Sequence, residues 1–196
     1  MHFNSNKTRL VRPVTGLLLL LGPFAACQEV PPATHDEATP PVAATVESTC
    51  GEQGALQATL SGAINAKLDW PDAALRCESM PRPDAEGVRL RFSGQVAGER
   101  VALIVAMPAL EAGVTGTEFS SNVTITVEGS GRFFSTPNLE TCWADVAKNE
   151  PHRDLQGTYI VVGDLYCVGP LGEINGDAFV DVRMLRFSGV ANWTAK

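Results

Sequence analysis

The chain has 196 residues, 44% of them hydrophobic, with 15 Lys and Arg against 22 Asp and Glu, which leaves room for one domain of ordinary size once a targeting segment is set aside. Three basic residues (Lys7, Arg9, Arg12) and no acidic one precede Cys27, so the remainder carries 12 positive against 22 negative charges, net −10. Such a balance, with no basic patch to override it, repels phosphate backbones and excludes nucleic acid as an expected partner.

The first element is a leader. Lys7, Arg9 and Arg12 form a positive front, Val14 to Leu21 an apolar run, and Phe24-Ala25-Ala26-Cys27 a small-residue exit, the three-part layout of a signal peptide over 1–26. The apolar run is about half the ~20 residues that span a hydrocarbon core, and Gly22-Pro23 interrupts it, so a transmembrane helix is the weaker reading. Phe24-Ala25-Ala26-Cys27 resembles the lipobox of bacterial lipoproteins, with Phe24 where that family usually carries Leu. The resemblance covers only the leader. It implies cleavage ahead of Cys27, acylation of Cys27 with palmitate-type chains, and anchoring in the cell envelope. In that family Asp directly after the cysteine tends to retain the protein in the inner membrane. Gln28 stands here, which implies the outer membrane if the cell has two.

Residues 27–48, rich in Pro, Ala and Thr and without apolar periodicity, cannot bury enough surface to offset their ordering entropy. They read as a disordered tether, reaching at most ~60 Å from the bilayer at about 3 Å per residue. His35, flanked by Asp36 and Glu37, is read as a solvated residue within it.

The domain proper is expected over 49–196. From Leu56 to Trp70 the even positions (Leu56, Ala58, Leu60, Ile64, Leu68, Trp70) are apolar or small and the odd ones mostly polar, the period-two pattern of a strand with one buried face. Gly62 marks either a bend within one strand or the join between two, and Pro71 ends the run. Further alternating runs follow at 88–94, 101–107, 122–128, 158–168 and 179–193, with a short one at 131–134. The run at 101–107 is apolar on both faces and reads as central. In the last run the buried phase passes from Val180/Val182/Met184 to Leu185/Phe187/Gly189, which predicts a β-bulge near Met184-Leu185. Residues 139–146 fit both helical and strand spacing, and strand is preferred. The sum is an all-β fold, an antiparallel β-sandwich or barrel-like domain with at most one short helix.

The chain has five cysteines. Assigning Cys27 to the lipid leaves Cys50, Cys77, Cys142 and Cys167, which form two disulfides in one of three connectivities. The pairing of sequence neighbours, Cys50 with Cys77 and Cys142 with Cys167, is preferred because it divides the four between the two halves of the domain.

Candidate chemistry is sparse, and no cofactor is expected. A Ser-His-Asp relay would need His152 with Asp154 or Asp145 and a serine such as Ser130, but Gly129-Ser130-Gly131 lacks the frame that exposes a nucleophile. Metal-binding spacings are not found; Glu173, Asn175 and Asp177 offer alternate oxygen ligands, yet Asn175-Gly176 is a favoured turn pair. Paired carboxylates for acid/base hydrolysis would come from Glu118, Glu128, Asp145, Asp164, Glu173 or Asp181. Arg89 and Arg91, on the polar face of their strand, are read as partners for carboxylates. Trp70, Trp143 and Trp193, with Phe133, Phe134, Tyr159 and Tyr166, are the candidate stacking platform or apolar pocket. The expected function is a non-catalytic binding or accessory module for an envelope protein or glycan. The alternatives are a carrier of a lipid or other apolar ligand and a carboxylate-based hydrolase.

Overall fold

The computed structural model describes residues 49–80 and 86–193; the leader, Cys27 and the tether lie outside the described residues. The alternating runs become eleven strands: β1 (Ala55–Gly62), β2 (Ala66–Pro71), β3 (Arg76–Met80), β4 (Val88–Val96), β5 (Glu99–Met107), β6 (Gly116–Glu128), β7 (Arg132–Ser135), β8 (Cys142–Pro151), β9 (Thr158–Cys167), β10 (Leu171–Glu173) and β11 (Phe179–Asn192). Helix in the described residues is confined to one 3-10 turn, Asp72–Ala74. Every strand pairing is antiparallel, as the sequence predicts.

The long alternation from Leu56 to Trp70 is a hairpin. Leu56 pairs with Trp70, Ala58 with Leu68 and Leu60 with Ala66, so even positions meet even positions and share one face. A turn that preserves parity leaves the period-two pattern unbroken, which is why the sequence alone does not separate one strand from two. Gly62 makes the join. Its φ is 103°, and a Cβ there would sit 2.5 Å from the carbonyl oxygen of Phe179, a conformation and an approach that glycine alone accepts without strain. Asn65 closes the turn by donating its amide to the Gly62 carbonyl at 2.8 Å.

One ribbon of strands runs β3-β4-β5-β6-β8-β9-β11-β1-β2. The long strands β6 and β11 each serve two neighbours in succession along one edge. β6 pairs with β8 through residues 116–121 and with β7 through 124–127. β11 pairs with β10 at 179–180 and with β9 from 184 to 192. β7 and β10 pair with each other and close the gap, giving the ring β6-β8-β9-β11-β10-β7. Bulges permit this closure, because an extra residue bends a strand and raises its twist. One lies in β11 between Val182 and Leu185, where the sequence places it. Two more occur, in β6 between Gly116 and Phe119, where Glu118 has a φ of 60°, and in β8 between Val146 and Lys148.

The wings of the ribbon fold onto each other like a sandwich. The Phe92 ring of β4 packs where a side chain on Gly189 of β11 would stand, and the Trp70 indole of β2 packs likewise against Gly94 of β4. Phe92, Phe134 and Phe187 fill the core with Leu90, Leu103, Leu165 and Leu185, all fully buried. β5 is buried on both faces over Val101, Ala102 and Leu103 and lies between β4 and β6, the central place its composition predicts. At its open end, edge strand β3 runs beside β11, and Asn192 donates its backbone N–H to Ser79 Oγ at 2.6 Å.

Both preferred disulfides form. Cys142 and Cys167 are directly opposed on β8 and β9. Cys50 and Cys77 join the chain ahead of β1 to β3, and Thr49 Oγ1 accepts the Cys77 N–H at 2.9 Å. On the outer face of β4, Arg91 pairs with both Glu78 and Glu128, as read from the sequence. Such partly exposed pairs contribute little to stability.

The β7–β10 closure carries its own charge pair. Arg132 lies 5.0 Å from the centre of the Phe134 ring and donates from Nε to Glu173 at 2.6 Å. That hydrogen bond, helped by the charge of Arg132, holds the Glu173 carboxyl below the usual carboxylate range, against the raising effect of its partial burial. A depressed folded value means the pair stabilises fully above the ordinary carboxylate pKa of about 4.3 and is lost as pH falls through the lower folded value. Glu173→Gln is therefore expected to lower the urea midpoint at pH 7 and to lose that deficit as pH falls through the lowered folded value. A deficit unchanged at acid pH contradicts the assignment.

Candidate binding face

The three tryptophans do not form one platform. Trp70, on the inner face of β2, is buried in the core and donates its indole N–H to the Gln95 carbonyl at 3.3 Å. Trp193 meets Tyr159 edge to face, with ring centres 5.1 Å apart, beyond the end of β11. Trp143 points outward from β8, because its neighbour Cys142 points into the core and successive strand residues alternate. The structure brings it instead to Tyr166 of β9, and the two rings stack with centres 5.8 Å apart at an interplanar angle of 26°. Phe134 is core, whereas Phe133 lies exposed on the outer face of β7.

Cross-strand register builds a surface around that stack. Trp143 opposes Tyr166, and Tyr166 opposes Met184 of the β11 bulge, which is 61% exposed. These three make a row across β8, β9 and β11. The next row runs Asp145, Asp164, Arg186, Gln57, Asp69 across five strands, each opposed to the one before. Arg186 donates from Nε to Asp164 at 2.9 Å, and Gln57 donates from Nε2 to Asp69 at 3.1 Å. Between the rows, at the bulge, lies an open depression of about 310 Å3 whose walls include Gln57, Thr59, Lys67, Asp69, Met184 and Arg186. Val168, 73% exposed, follows Tyr166 by two residues, just past the end of β9.

The candidate reactive groups are placed as follows. His152 Nδ1 accepts the backbone N–H groups of Asp154 and Leu155 at 3.1 and 3.2 Å. Ser130 Oγ donates to the Val127 carbonyl at 3.3 Å. Ser130 lies with Ala63–Asn65 at the end where β11 begins, and His152 pairs with Thr158 at the end where β11 finishes. The length of β11 separates them. Asp145 and Asp164 are the two candidate carboxylates that register brings opposite each other. Asp164 accepts a hydrogen bond from Arg186, and Asp145 accepts one from the Glu118 N–H at 2.9 Å. Glu173 is engaged by Arg132, and Asn175, at a φ of 64°, makes the expected turn between β10 and β11. Among the described residues no three His, Cys, Asp or Glu side chains converge on a metal-sized site.

Sequence reasoning names Trp143, Tyr166, Asp145 and Asp164 but misses Met184, Arg186, Gln57 and Asp69 as members of the same surface. In the sequence Met184 falls on the buried phase with Val180 and Val182, whereas the bulge turns it outward beside Arg183; Gln57 and Asp69 read only as outward polar positions of β1 and β2. No protein-family model, no curated protein and no solved structure matches this chain.

Proposed function

We propose that the protein is an envelope lipoprotein, attached through Cys27 and held off the membrane by 27–48, whose β domain is a non-catalytic binding or accessory module for an envelope protein or glycan. The observation that carries the binding role is the outer face of β8, β9 and β11, where a stacked Trp143–Tyr166 pair and an exposed Met184 adjoin a row of hydrogen-bonding side chains. A contiguous exposed apolar patch marks an interaction site, as singly scattered apolar side chains do not. The face is built on strands, one of whose pairs is cross-linked by Cys142–Cys167, and a rigid support lowers the ordering cost of binding. A non-catalytic role accords with the way His152, Ser130 and the opposed carboxylates are held. The anchor rests on the lipobox resemblance, and attachment to the outer membrane on Gln28.

Two measurements test this. Cys27→Ser is expected to abolish incorporation of labelled palmitate and to move the chain from the membrane pellet to the soluble fraction, whereas continued membrane retention without label overturns the anchor. Full-length protein in detergent is expected to co-sediment with envelope material from its producing cell; sedimentation no greater than that of an unrelated lipoprotein overturns the binding role.

A further inference from the structure

The rows on this face have a spacing, a chemistry and a charge balance, and together these select among ligands. Neighbouring residues within a row sit on adjacent strands, about 4.8 Å apart. That is close to the advance of one ring in an extended β-1,4-linked pyranose chain. A peptide strand rises only about 3.3 Å per residue and adds to a sheet edge through backbone hydrogen bonds rather than lying across its face.

The chemistry of the two rows is equally specific. Aromatic side chains present broad apolar surfaces with a polar tip, suited to the C–H faces and hydroxyl rims of sugar rings. Trp143 stacks on Tyr166 through one ring face, and on its other side the cross-strand neighbour is Ser120, a small residue. Beside them Arg186, Asp164, Gln57 and Asp69 are planar groups already oriented by their mutual hydrogen bonds. The bond to Asp164 uses only Nε of Arg186, and the bond to Asp69 uses only the amide nitrogen of Gln57, so each pair keeps donors and acceptors for hydroxyls. The depression at the bulge, about 310 Å3, falls at the lower end of the roughly 300–1,000 Å3 typical of small-ligand sites.

Charge completes the case. Although the chain beyond Cys27 is strongly acidic, on this face Asp69, Asp145, Glu150, Asp164 and Asp181 stand against Lys67, Lys148, Arg183 and Arg186, and Glu150 is paired with Lys148 at 3.4 Å. A surface this close to neutral steers neither a polyanion nor a polycation strongly.

We propose that the outer face of β8, β9, β11, β1 and β2 binds an extended, uncharged β-1,4-linked polysaccharide lying across the strands, packed against the Trp143–Tyr166 pair and hydrogen-bonded along the row from Asp164 to Asp69. The inference rests on the binding-module reading and names its ligand class and its contact residues. Gln57 and Arg186 are binding residues here, and the β11 bulge shapes the groove by turning Met184 outward.

The test is calorimetric titration of the full-length protein in detergent with hexamers of β-1,4-linked N-acetylglucosamine and of β-1,4-linked glucose. At least one hexamer is expected to bind. Trp143→Ala is expected to weaken it by about tenfold, equivalent to ~1.4 kcal/mol, with Trp143→Phe recovering part of the loss. Gln57→Ala, at an exposed position that leaves the core untouched, is expected to weaken it several-fold, and Phe133→Ala on β7 to leave it unchanged. Failure of both hexamers to bind at millimolar concentration, or full affinity in both Trp143→Ala and Gln57→Ala, overturns the proposal. Co-sedimentation with envelope material pretreated with glycan hydrolase or with protease separates the two levels of inference. Binding abolished by the hydrolase supports the glycan. Binding abolished only by protease overturns it while leaving a protein-binding module, and no binding to untreated material overturns both readings.

Discussion

Phe92→Ala is expected to destabilise the domain by about 3–5 kcal/mol, the range for removing a fully buried aromatic ring from a packed core. Phe92 has no exposed surface, lies 5.9 Å centre to centre from Phe187, and occupies the space left by Gly189 on the facing strand. It thus holds β4 to β11, the contact that folds one wing of the ribbon onto the other. Neighbouring backbone is committed to ladders on both sides, since β4 pairs with β3 and β5 and β11 with β1 and β9. The strands therefore collapse only partly into the cavity, which places the expected cost in the upper part of the range. Against a typical total of about 5–15 kcal/mol this is a large fraction. Urea denaturation followed by tryptophan fluorescence is expected to show a lowered midpoint with an unchanged slope, and the Tm to fall by on the order of 10–20 °C. A loss below about 1 kcal/mol, the usual scale of surface substitutions and conservative swaps, shows that the two wings do not rely on this contact.

Removing the Cys50–Cys77 disulfide is expected to have the next largest effect, about 3.5 kcal/mol by the loop-entropy relation for a closure of this length. The bridge spans a sequence separation of 27 and the Cys142–Cys167 bridge one of 25, so the two constrain the unfolded chain almost equally. Their folded contexts differ. Cys142–Cys167 links strands already paired along their whole length, from Cys142 opposite Cys167 to Pro151 opposite Tyr159. Cys50–Cys77 fastens edge strand β3, whose one ladder is to β4, and the segment that leads into β1. The double variant Cys50→Ala/Cys77→Ala is thus expected to add local opening to global loss. Hydrogen exchange at residues 76–80 should accelerate more than the global change requires, together with the Asn192 amide held by Ser79. The corresponding variant of Cys142 and Cys167 should lose a similar total while β8 and β9 stay protected relative to it. Equal local exchange in the two double variants would place the effect of both bridges wholly in the unfolded state.

The sequence by itself determined which way most side chains face. Alternation marks inward and outward positions locally, since consecutive strand residues point to opposite sides whatever lies next to them. Hence the β class, the central character of β5, the strand at Cys142–Val146 and the bulge at Met184-Leu185 were legible, the last because an extra residue switches the phase of burial within one strand. Pairing the cysteines also needed little more than their order along the chain. Two strands escaped notice: β3 has one buried residue, Cys77, between Arg76 and Glu78, and β10 has three residues and adjoins a turn whose residues dominate its composition. The bulges in β6 and β8 escaped as well: residues 116–120 of β6 have no buried member, and in β8 the buried phase passes from Cys142, Ala144 and Val146 to Asn149, a polar residue that carries no apolar signal.

Only the tertiary structure decided which strands are neighbours and in what register. Trp70, Trp143 and Trp193 looked alike in the sequence, yet one fills the core, one stacks on Tyr166 and one meets Tyr159. Met184, Arg186, Gln57 and Asp69 come from three strands between 57 and 186, and they join Trp143 and Tyr166 on one face because β11 pairs with both β9 and β1. The reason is physical: facing is set by the geometry of a single strand, whereas register is set by the sum of core contacts across the whole sheet, and those contacts join residues more than a hundred positions apart.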